Sequence, residues 1–457
     1  MNNKVPKYYT SKKVLDVSDI LGLINESVRF DSKYNKNENY YFGKHKILER
    51  VFDDHTKPNN KFITNLCRYI CEVRNGYFSS APLSISSQDE ELSNVISDIL
   101  DDNDFKDVFA KLDNYSSIYG HAFLCLYLNS HGEITMSAQK PQHWIMVRDN
   151  SLEEVPRFAI RHYKWFDDVA HETKMDVELW TETQIIKYVG NNLNLEVVDV
   201  QEHYFGSLPV IEFAENDILK GAFEDVIPLL DIYESMLSDV ANTISYFSDA
   251  YLCLEGMEQT EPGDIMRMKE NKVMLIPEGT SAKFLTKEIN DSYVENMLKR
   301  LQEQMFVVAC TPLLSDSSFS SNSSGVAINY KLYSMSKSID GKENIFYKGF
   351  KEMFRMFMNI MAIRGETFTT DRIVIQFTRA LPLDMTSLAD SVSKLNGVVS
   401  RKTLLTQLEF INDVDLEVKQ IEKERQDEID FMKANMDIYG DINEEPTGNN
   451  KPDPTER

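Results

Sequence analysis

Residues 311–331 read TPLLSDSSFSSNSSGVAINYK, and the architecture can be worked out from this run in both directions. Seven of the ten residues from Ser315 to Ser324 are serine, Phe319 is the one large apolar side chain among them, and Gly325 follows. Such a stretch has almost nothing to bury and reads as a loop. Upstream, Val294, Leu298, Leu301, Met305 and Val308 recur in a heptad-like stripe that predicts a helix from about Asp291 to Cys310. Downstream, helical spacing continues to about Ile363. On composition alone, a hydroxyl-rich loop between two long helices reads as a flexible linker.

Further upstream, DVIPLLDIYESMLSDVANTISYFSDAYLCLEG (225–256) places Leu229, Ile232, Tyr233, Met236, Leu237, Val240, Ile244, Phe247 and Tyr251 on a 3.6-residue period. This predicts a helix of about seven turns, with Pro228 in its first turn and Gly256 as its stop. NKVMLIPEGTSAKFLT then reads as two short strands around Pro277-Glu278-Gly279. Beyond the serine run, Gly341 and Gly349 each cost about 1 kcal/mol against alanine inside a helix and predict a kink. DRIVIQFTRALP reads as a strand closed by Pro382. Residues 385–432 read as two or three helices, and the stretch after Asp441 is expected to be disordered.

The N-terminal half has a different grain. Residues 1–60 are polar, with helical spacing only around Ile20 to Phe30. Phe62, Leu66, Tyr69, Ile70 and Val73 predict a helix that Gly76 and Pro82 end. Glu90 to Ile118 reads as two amphipathic helices. HAFLCLYLNSHGEITMSAQKP, from His121, alternates on both sides of Asn129 to Gly132 and predicts a hairpin. Strand-like runs follow to Val147 and at 157–163, 176–180, 185–189 and 195–200, giving an antiparallel α+β domain of roughly 200 residues.

Composition narrows the function classes. With 42% hydrophobic and 11% aromatic residues, the 457-residue chain can bury sizeable cores. Its net charge of −24 argues against tight sequence-independent binding to DNA or anionic membrane, both of which require cations against phosphate. No window approaches 18 consecutive apolar residues and the N-terminus lacks an apolar core of signal type, so neither export nor a membrane span is expected. Five cysteines, among them Cys67 and Cys71 one turn apart with no second zinc-spaced pair, read as reduced core thiols. No phosphate loop, nucleophile elbow, zincin helix or dinucleotide fingerprint is present. Asp53-Asp54-His55 reads as a solvated turn rather than an ion site, and no carboxylate pair sits inside an apolar pattern that would raise a pKa. Cys310 lacks a neighbouring base and reads as core. No catalytic residue, metal site or cofactor site is expected.

Five stretches in collinear order resemble the portal (connector) proteins of tailed bacteriophages, especially long-tailed phages of Gram-positive hosts. They are KPNNKFITNLCRYICEVRNGYFSSAP from Lys57, YGHAFLCLYLNSHGEITMSAQKPQHWIMVRDN, HYFGSLPVIEFAENDILKGAFEDVIPLLDIYESMLSDVANTISYF, SSGVAINYK, and LPLDMTSLADSVSKLNGVVSRKTLLTQLEFINDVDLEVKQIEKE. The resemblance covers roughly residues 40 to 430. Each motif is weak alone; their order, with the right parts between them, carries the identification.

The resemblance implies the α+β portal fold assembled as a ring: an α/β wing, a long-helix stem, a small β/α clip, a kinked wing helix and a helical crown. On this chain those parts map to an N-terminal arm (1–40), wing (41–222), stem helix 1 (223–256), clip (257–290), stem helix 2 (291–310), tunnel loop (311–325), kinked wing helix and strand (326–384), crown (385–440) and tail (441–457). The implied partners are copies of the chain in a twelve-subunit ring, double-stranded DNA passing through it, the large terminase subunit, the major capsid or scaffolding protein, and a head-completion adaptor. The implied place is the virion capsid vertex, with the host cytoplasm during assembly. Ser315, Ser317, Ser318, Phe319, Ser320, Ser321, Asn322, Ser323, Ser324 and Gly325 would face DNA, with Lys331 and Lys337 as candidate cations beside them and Lys342 as a further local attraction. Leu237, Val240, Ile244, Leu298, Leu301 and Met305 would pack the stem, and Lys272, Pro277, Glu278 and Gly279 would form the clip contact. An acidic channel would let DNA slide without adhering. Two other classes stay open from the residues: a metal-dependent nuclease using Asp53, Asp54, Asp101 and Asp102, and a non-enzymatic adaptor whose helices pack within one chain.

Overall fold

The computed structural model describes residues 5–247 (with breaks at 55–56, 82, 88 and 169–170), 251–255, 261, 263, 266, 281–285, 291–314, 325–366 and 373–379, and between 392 and 440 all but 396, 407, 409–410 and 412–413. It is a mixed α+β structure. Its largest sheet has six strands in the order β1-β5-β6-β7-β8-β9, comprising Tyr8–Thr10, Trp144–Asp149, Pro156–Asp167, Glu172–Trp180, Gln184–Gly190 and Leu195–Glu202. β1 is parallel to β5 and every other pairing is antiparallel. The expected hairpin forms β3 (His121–Leu128) and β4 (Ile134–Gln139), joined on its other side by β10 (Val210–Ala214). β2 (Ser84–Ser87), which carries no alternation in the sequence, pairs with β13 (Ile373–Gln376) from near the far end of the chain.

The N-terminal arm is not a loose tail. Helix α1 (Val17–Tyr41) starts at a capping box, in which Asp16 accepts from the Asp19 amide at 2.9 Å and Asp19 accepts from the Asp16 amide at 3.1 Å. Its Ile20, Ile24, Phe30, Tyr34 and Tyr40 are buried against one face of the six-stranded sheet, along with Val147, Ile160 and Leu179. The segment looks polar because three of its buried positions, Tyr34, Asn37 and Tyr40, bury hydrogen-bonded groups: Tyr34 to His121, Asn37 to the Ile118 carbonyl, Tyr40 to Asp231. Cys67 and Cys71 on helix α2 (Leu66–Phe78) are free thiols in the same core.

A second core lies between α2, α3 (Glu90–Asp102), α4 (Phe105–Tyr119), the three-stranded sheet and a 40-residue helix running from Gly325 to Arg364. Phe78, Phe109, Phe213, Phe346 and Phe350 meet there with ring centroids 4.9–6.1 Å apart, mostly edge to face. The helix runs unbroken through Gly341 and Gly349, where the sequence predicts a kink. Gly349 also answers a packing demand: a Cβ there would lie 2.6 Å from the Phe213 ring. Gly120, at φ +95° after α4, is another glycine the fold requires, because a Cβ would meet the Leu219 carbonyl oxygen at 2.1 Å.

Helices α5 (Ile227–Phe247) and α6 (Asp291–Val308) pack on each other. The sequence extends α5 to Gly256, whereas residues 251–255 form strand β11, paired antiparallel with β12 (Ser281–Leu285). Tyr251, Cys253 and the β-favouring residues around them satisfy both periods, and the strand pairing wins. β12 is the second of the two strands expected around Pro277, but its described partner is β11. The long helix from Gly325 to Arg364 is α7; a short helical stretch at 392–395, α8 (Arg401–Thr406) and α9 (Val414–Gly440) follow in the C-terminal region. No helix among the described residues is long and apolar enough to cross a membrane.

Candidate functional site

The serine run is the functional expectation the sequence states most sharply, and Ser315 to Ser324 lie outside the described residues. So do the clip positions Lys272, Pro277, Glu278 and Gly279, while Gly325 opens α7. What the structure gives is the mooring of both flanks.

On the incoming side, Met305, Phe306 and Ala309 at the end of α6 are buried. Cys310 turns the chain at φ +50°, the Thr311 amide donates back to the Phe306 carbonyl at 3.1 Å, and the Leu314 amide donates to the Tyr69 hydroxyl at 2.8 Å. The Tyr69 and Phe306 rings meet edge to face at 5.8 Å. The chain is thus tied to α2 up to the threshold of the loop.

The outgoing side is held by a buried ionic node. Lys342, on α7, is expected from sequence to offer local attraction to DNA. It is instead 2% exposed, with its ammonium 2.5 Å from Asp113 of α4 and 2.5 Å from Glu215 after β10. It also donates to the Ser117 hydroxyl at 3.0 Å. Arg74 of α2 completes the node, donating to Glu215 at 2.8 Å, to Ser338 of α7 at 3.2 Å, and to the Ala309 carbonyl at 3.3 Å. Ser79 donates to Asp113 at 2.6 Å. Burial alone would push the Glu215 carboxyl up, but Lys342 and Arg74 more than offset it and hold it below its ordinary value. Burial likewise pulls Lys342 down, and the two carboxylates outweigh it and raise it. Burial dominates at Asp113 and raises its carboxyl despite Lys342. The sequence shows no carboxylate pair inside an apolar pattern that would raise a pKa, yet the fold buries Asp113 and Glu215 together and raises Asp113. Asp113 sits in KLDNYSSIYG and Glu215 in IEFAEN, and the cations that meet them come from 229 and 141 residues away in the chain.

A second polar seam runs along α5. Glu234, fully buried, receives His45 Nδ1 at 2.8 Å and the Thr64 amide at 2.9 Å. Ser238 accepts from the Phe62 amide at 2.9 Å, Asn242 from the Asn60 amide at 2.7 Å, and Asp239 from Arg50 at 2.7 Å. Residues 45–64 are strapped along the helix by these contacts. Burial would lower the His45 pKa, but Glu234 and the Tyr40 carbonyl raise it above its ordinary value. The seam is legible only in retrospect, as Glu234, Ser238 and Asn242 at four-residue steps inside an apolar pattern.

The expected stem positions divide. Met305 and Leu301 are buried, Leu237, Val240 and Leu298 half-buried, and Ile244 is 58% exposed. Ile232, Tyr293, Val307 and Val308 are also exposed, so the helix pair leaves apolar side chains uncovered. Lys331 is half-buried; Lys337 is exposed and pairs with Asp340 at 2.8 Å. Asp53 and Asp54 lie exposed before α2, and Asp101 and Asp102 lie exposed at the end of α3. Among the described residues, no three His, Cys, Asp or Glu side chains are grouped to hold a metal.

Comparison with known proteins places the chain in a family. The family described as phage portal protein, SPP1 Gp6-like, matches residues 22–430. The portal protein of Bacillus phage SPP1 is 21% identical over 400 residues, covering 82% of this chain and 78% of that protein. The portal protein of Clostridium phage phiCD119 is 22% identical over 433 residues, covering 88% of this chain and 94% of that protein. Among solved structures, a chain of the virion of a native gene transfer agent particle is 11% identical with a TM-score of 0.40, over 74% of this chain and 86% of that one.

Proposed function

This chain belongs to the SPP1 Gp6-like family of phage portal proteins, and from that premise we propose that its copies close into a ring, of twelve subunits, at one capsid vertex. Its function is that of a phage portal protein and its place is the virion. In the proposed ring, α5 and α6 form the stem, β11 and β12 begin the clip, and the sheets with α1–α4 and α7 form the wing. DNA passes along the axis past Ser315–Ser324. The terminase motor docks at the clip during packaging, and a head-completion protein takes its place afterwards. The family is a structural one, and the role asks the chain for positioning rather than for bond chemistry.

One observation carries the reading: the family match spans 409 of 457 residues, from α1 to within α9, so every described part of the molecule lies in the matched span or beside it. The moored flanks support it. A loop that enters from Leu314, tied to Tyr69, and leaves into a helix anchored at Ser338 and Lys342 can present short hydroxyls to a moving phosphate backbone without itself being pulled loose. Serine makes only weak contacts with phosphate, whereas each Lys or Arg pairing would release counterions and add affinity.

Negative-stain images of the purified protein test the ring. A closed ring with a central hole is expected; a species of one or two copies at every concentration and salt would count against it. Shortening Ser315–Ser324 separates loop from scaffold: rings are expected to persist while DNA packaging falls. Loss of soluble rings, with normal packaging in those that remain, would sink the assignment of the loop.

A further inference from the structure

An apolar-floored groove of about 860 Å³ lies between β2, α3 and α4. Its floor is Leu83, Ile85, Ile96, Leu100, Phe105 and Phe109. Its rim carries three carboxylates, Asp101, Asp104 and Asp107, against one cation, Lys106, and Asp107 is spoken for by Lys111 at 2.6 Å. Asp101 and Asp104 are exposed and have no ion-pair partner among the described residues. Of these, Asp101 is one of the carboxylates that the sequence offered to a metal, and among the described residues no three ligating side chains are grouped to hold one.

The same chain carries a surface of opposite character. Along α7, Asn344, Lys348, Lys351 and Arg355 recur at three- and four-residue steps and are all exposed, with Tyr347 beside them at 41%. Arg355 pairs with Glu352, while Lys348 and Lys351 have no ion-pair partner among the described residues. On a chain of net charge −24, an exposed helical stripe of cations, an amide and a tyrosine is unusual.

The stripe leaves α7 on the side away from Phe346, Phe350 and Met353, which are buried. Phe350 in turn meets Phe105 and Phe109, the groove's own floor, at 5.4 and 5.7 Å. Stripe and groove therefore lie on two sides of one packed layer, α7 outermost on one side and the α3–α4 hairpin on the other. A subunit with complementary patches on opposite sides cannot satisfy them by itself or by two-fold pairing of like with like. It can do so by head-to-tail contact, which closes when the rotation is a simple fraction of a turn.

We propose that the α3–α4 groove of one subunit receives the Tyr347–Lys348–Lys351 stripe of α7 from its neighbour in the ring. Tyr347 enters the apolar floor, Lys348 and Lys351 face Asp101 and Asp104, and the contact repeats around the circle. It rests on the ring reading above and adds to it a specific pair of surfaces.

Charge reversal tests it on the full-length protein by mass photometry. Asp101→Lys/Asp104→Lys and Lys348→Glu/Lys351→Glu alter exposed side chains, so each variant should keep the wild-type circular dichroism. Each should require about tenfold more protein, or greater, to reach half assembly. Mixed one to one, the two should recover wild-type assembly: reversed groove meets reversed stripe, intact groove meets intact stripe, and the two variants alternate in rings of even number. If a reversal misfolds, the neutral pair Asp101→Asn/Asp104→Asn and Lys348→Gln/Lys351→Gln should shift assembly the same way by a smaller factor. Rings indifferent to both reversals, or a mixture no better than either variant alone, overturn the contact while leaving the ring. Rings unchanged by Lys348→Glu/Lys351→Glu, with DNA retention lost, would assign the stripe to DNA and also overturn it. A wild-type chain that stays monomeric refutes the ring and the contact with it.

Discussion

The second core and the α5–α6 pair are built on opposite terms. In the core, five phenylalanines pack together and a four-charge node forms its ion pairs within the chain, with Arg74 Nε left without a hydrogen-bond partner; Arg74, Asp113, Glu215 and Lys342 are each 5% exposed or less. In the helix pair, Leu301 and Met305 are buried while Ile232, Ile244, Tyr293 and Val307 stay 50–69% exposed. The first region is buried within one chain. The second leaves apolar side chains uncovered among the described residues, and in the proposed ring another copy would cover them. Isolated apolar residues on a surface are ordinary, but here they recur on both members of one helix pair.

Mutations should respond accordingly. The largest effect is expected from Lys342→Met, which leaves Asp113 and Glu215 buried without their shared cation and should cost about 3–5 kcal/mol in denaturant unfolding. A loss under about 1 kcal/mol would mean that the node is wetter or looser than its burial implies. Gly349→Ala should cost about 1–3 kcal/mol, because the methyl must displace the Phe213 ring. An unchanged melting temperature would show that α7 can shift away from β10 cheaply.

Acid should act on the sheet side of the molecule. Burial pushes the Glu212 carboxyl up, but His121 and Arg148 hold it down to about 2, against an ordinary value of 4.5. A depressed carboxyl contributes stability that is fully present above its unfolded pKa and is lost as pH falls through the folded one. Urea midpoints should therefore drop between pH 4.5 and pH 2, and Glu212→Gln should flatten that part of the profile. An equal slope in the variant would assign the acid sensitivity to other carboxylates. The smallest effect on the monomer is expected from Ile244→Asp, within about 0.5 kcal/mol, because the side chain is already exposed. The same variant should fail to form rings. Normal rings would show that this face of α5 stays in solvent.

The two regions also differ in how far they could be read from sequence. The aromatic core declares itself by period: Phe346, Phe350 and Phe357 fall on one face of α7, and the β3–β4 hairpin alternates around its turn. The ionic node does not, because each member is an ordinary charged residue in its own stretch and only tertiary approach unites them. Asp113 and Lys342 are separated by 229 residues. The N-terminal helix was hidden by its composition, since Tyr34, Asn37 and Tyr40 bury polar groups that a hydrophobic period counts as exposed. The end of α5 was misplaced because residues 251–255 suit helix and strand equally, and pairing with β12 decides between them. The portal identification rested instead on the order of five motifs, information that no single element holds.

The central claim is that this chain forms the portal of a phage head. Heads assembled from the cognate capsid protein in its presence can be imaged by electron cryomicroscopy without imposed symmetry. The account predicts a ring of this chain at a single vertex, with a channel along its axis. Heads that exclude the chain, or carry it at many vertices, would contradict it.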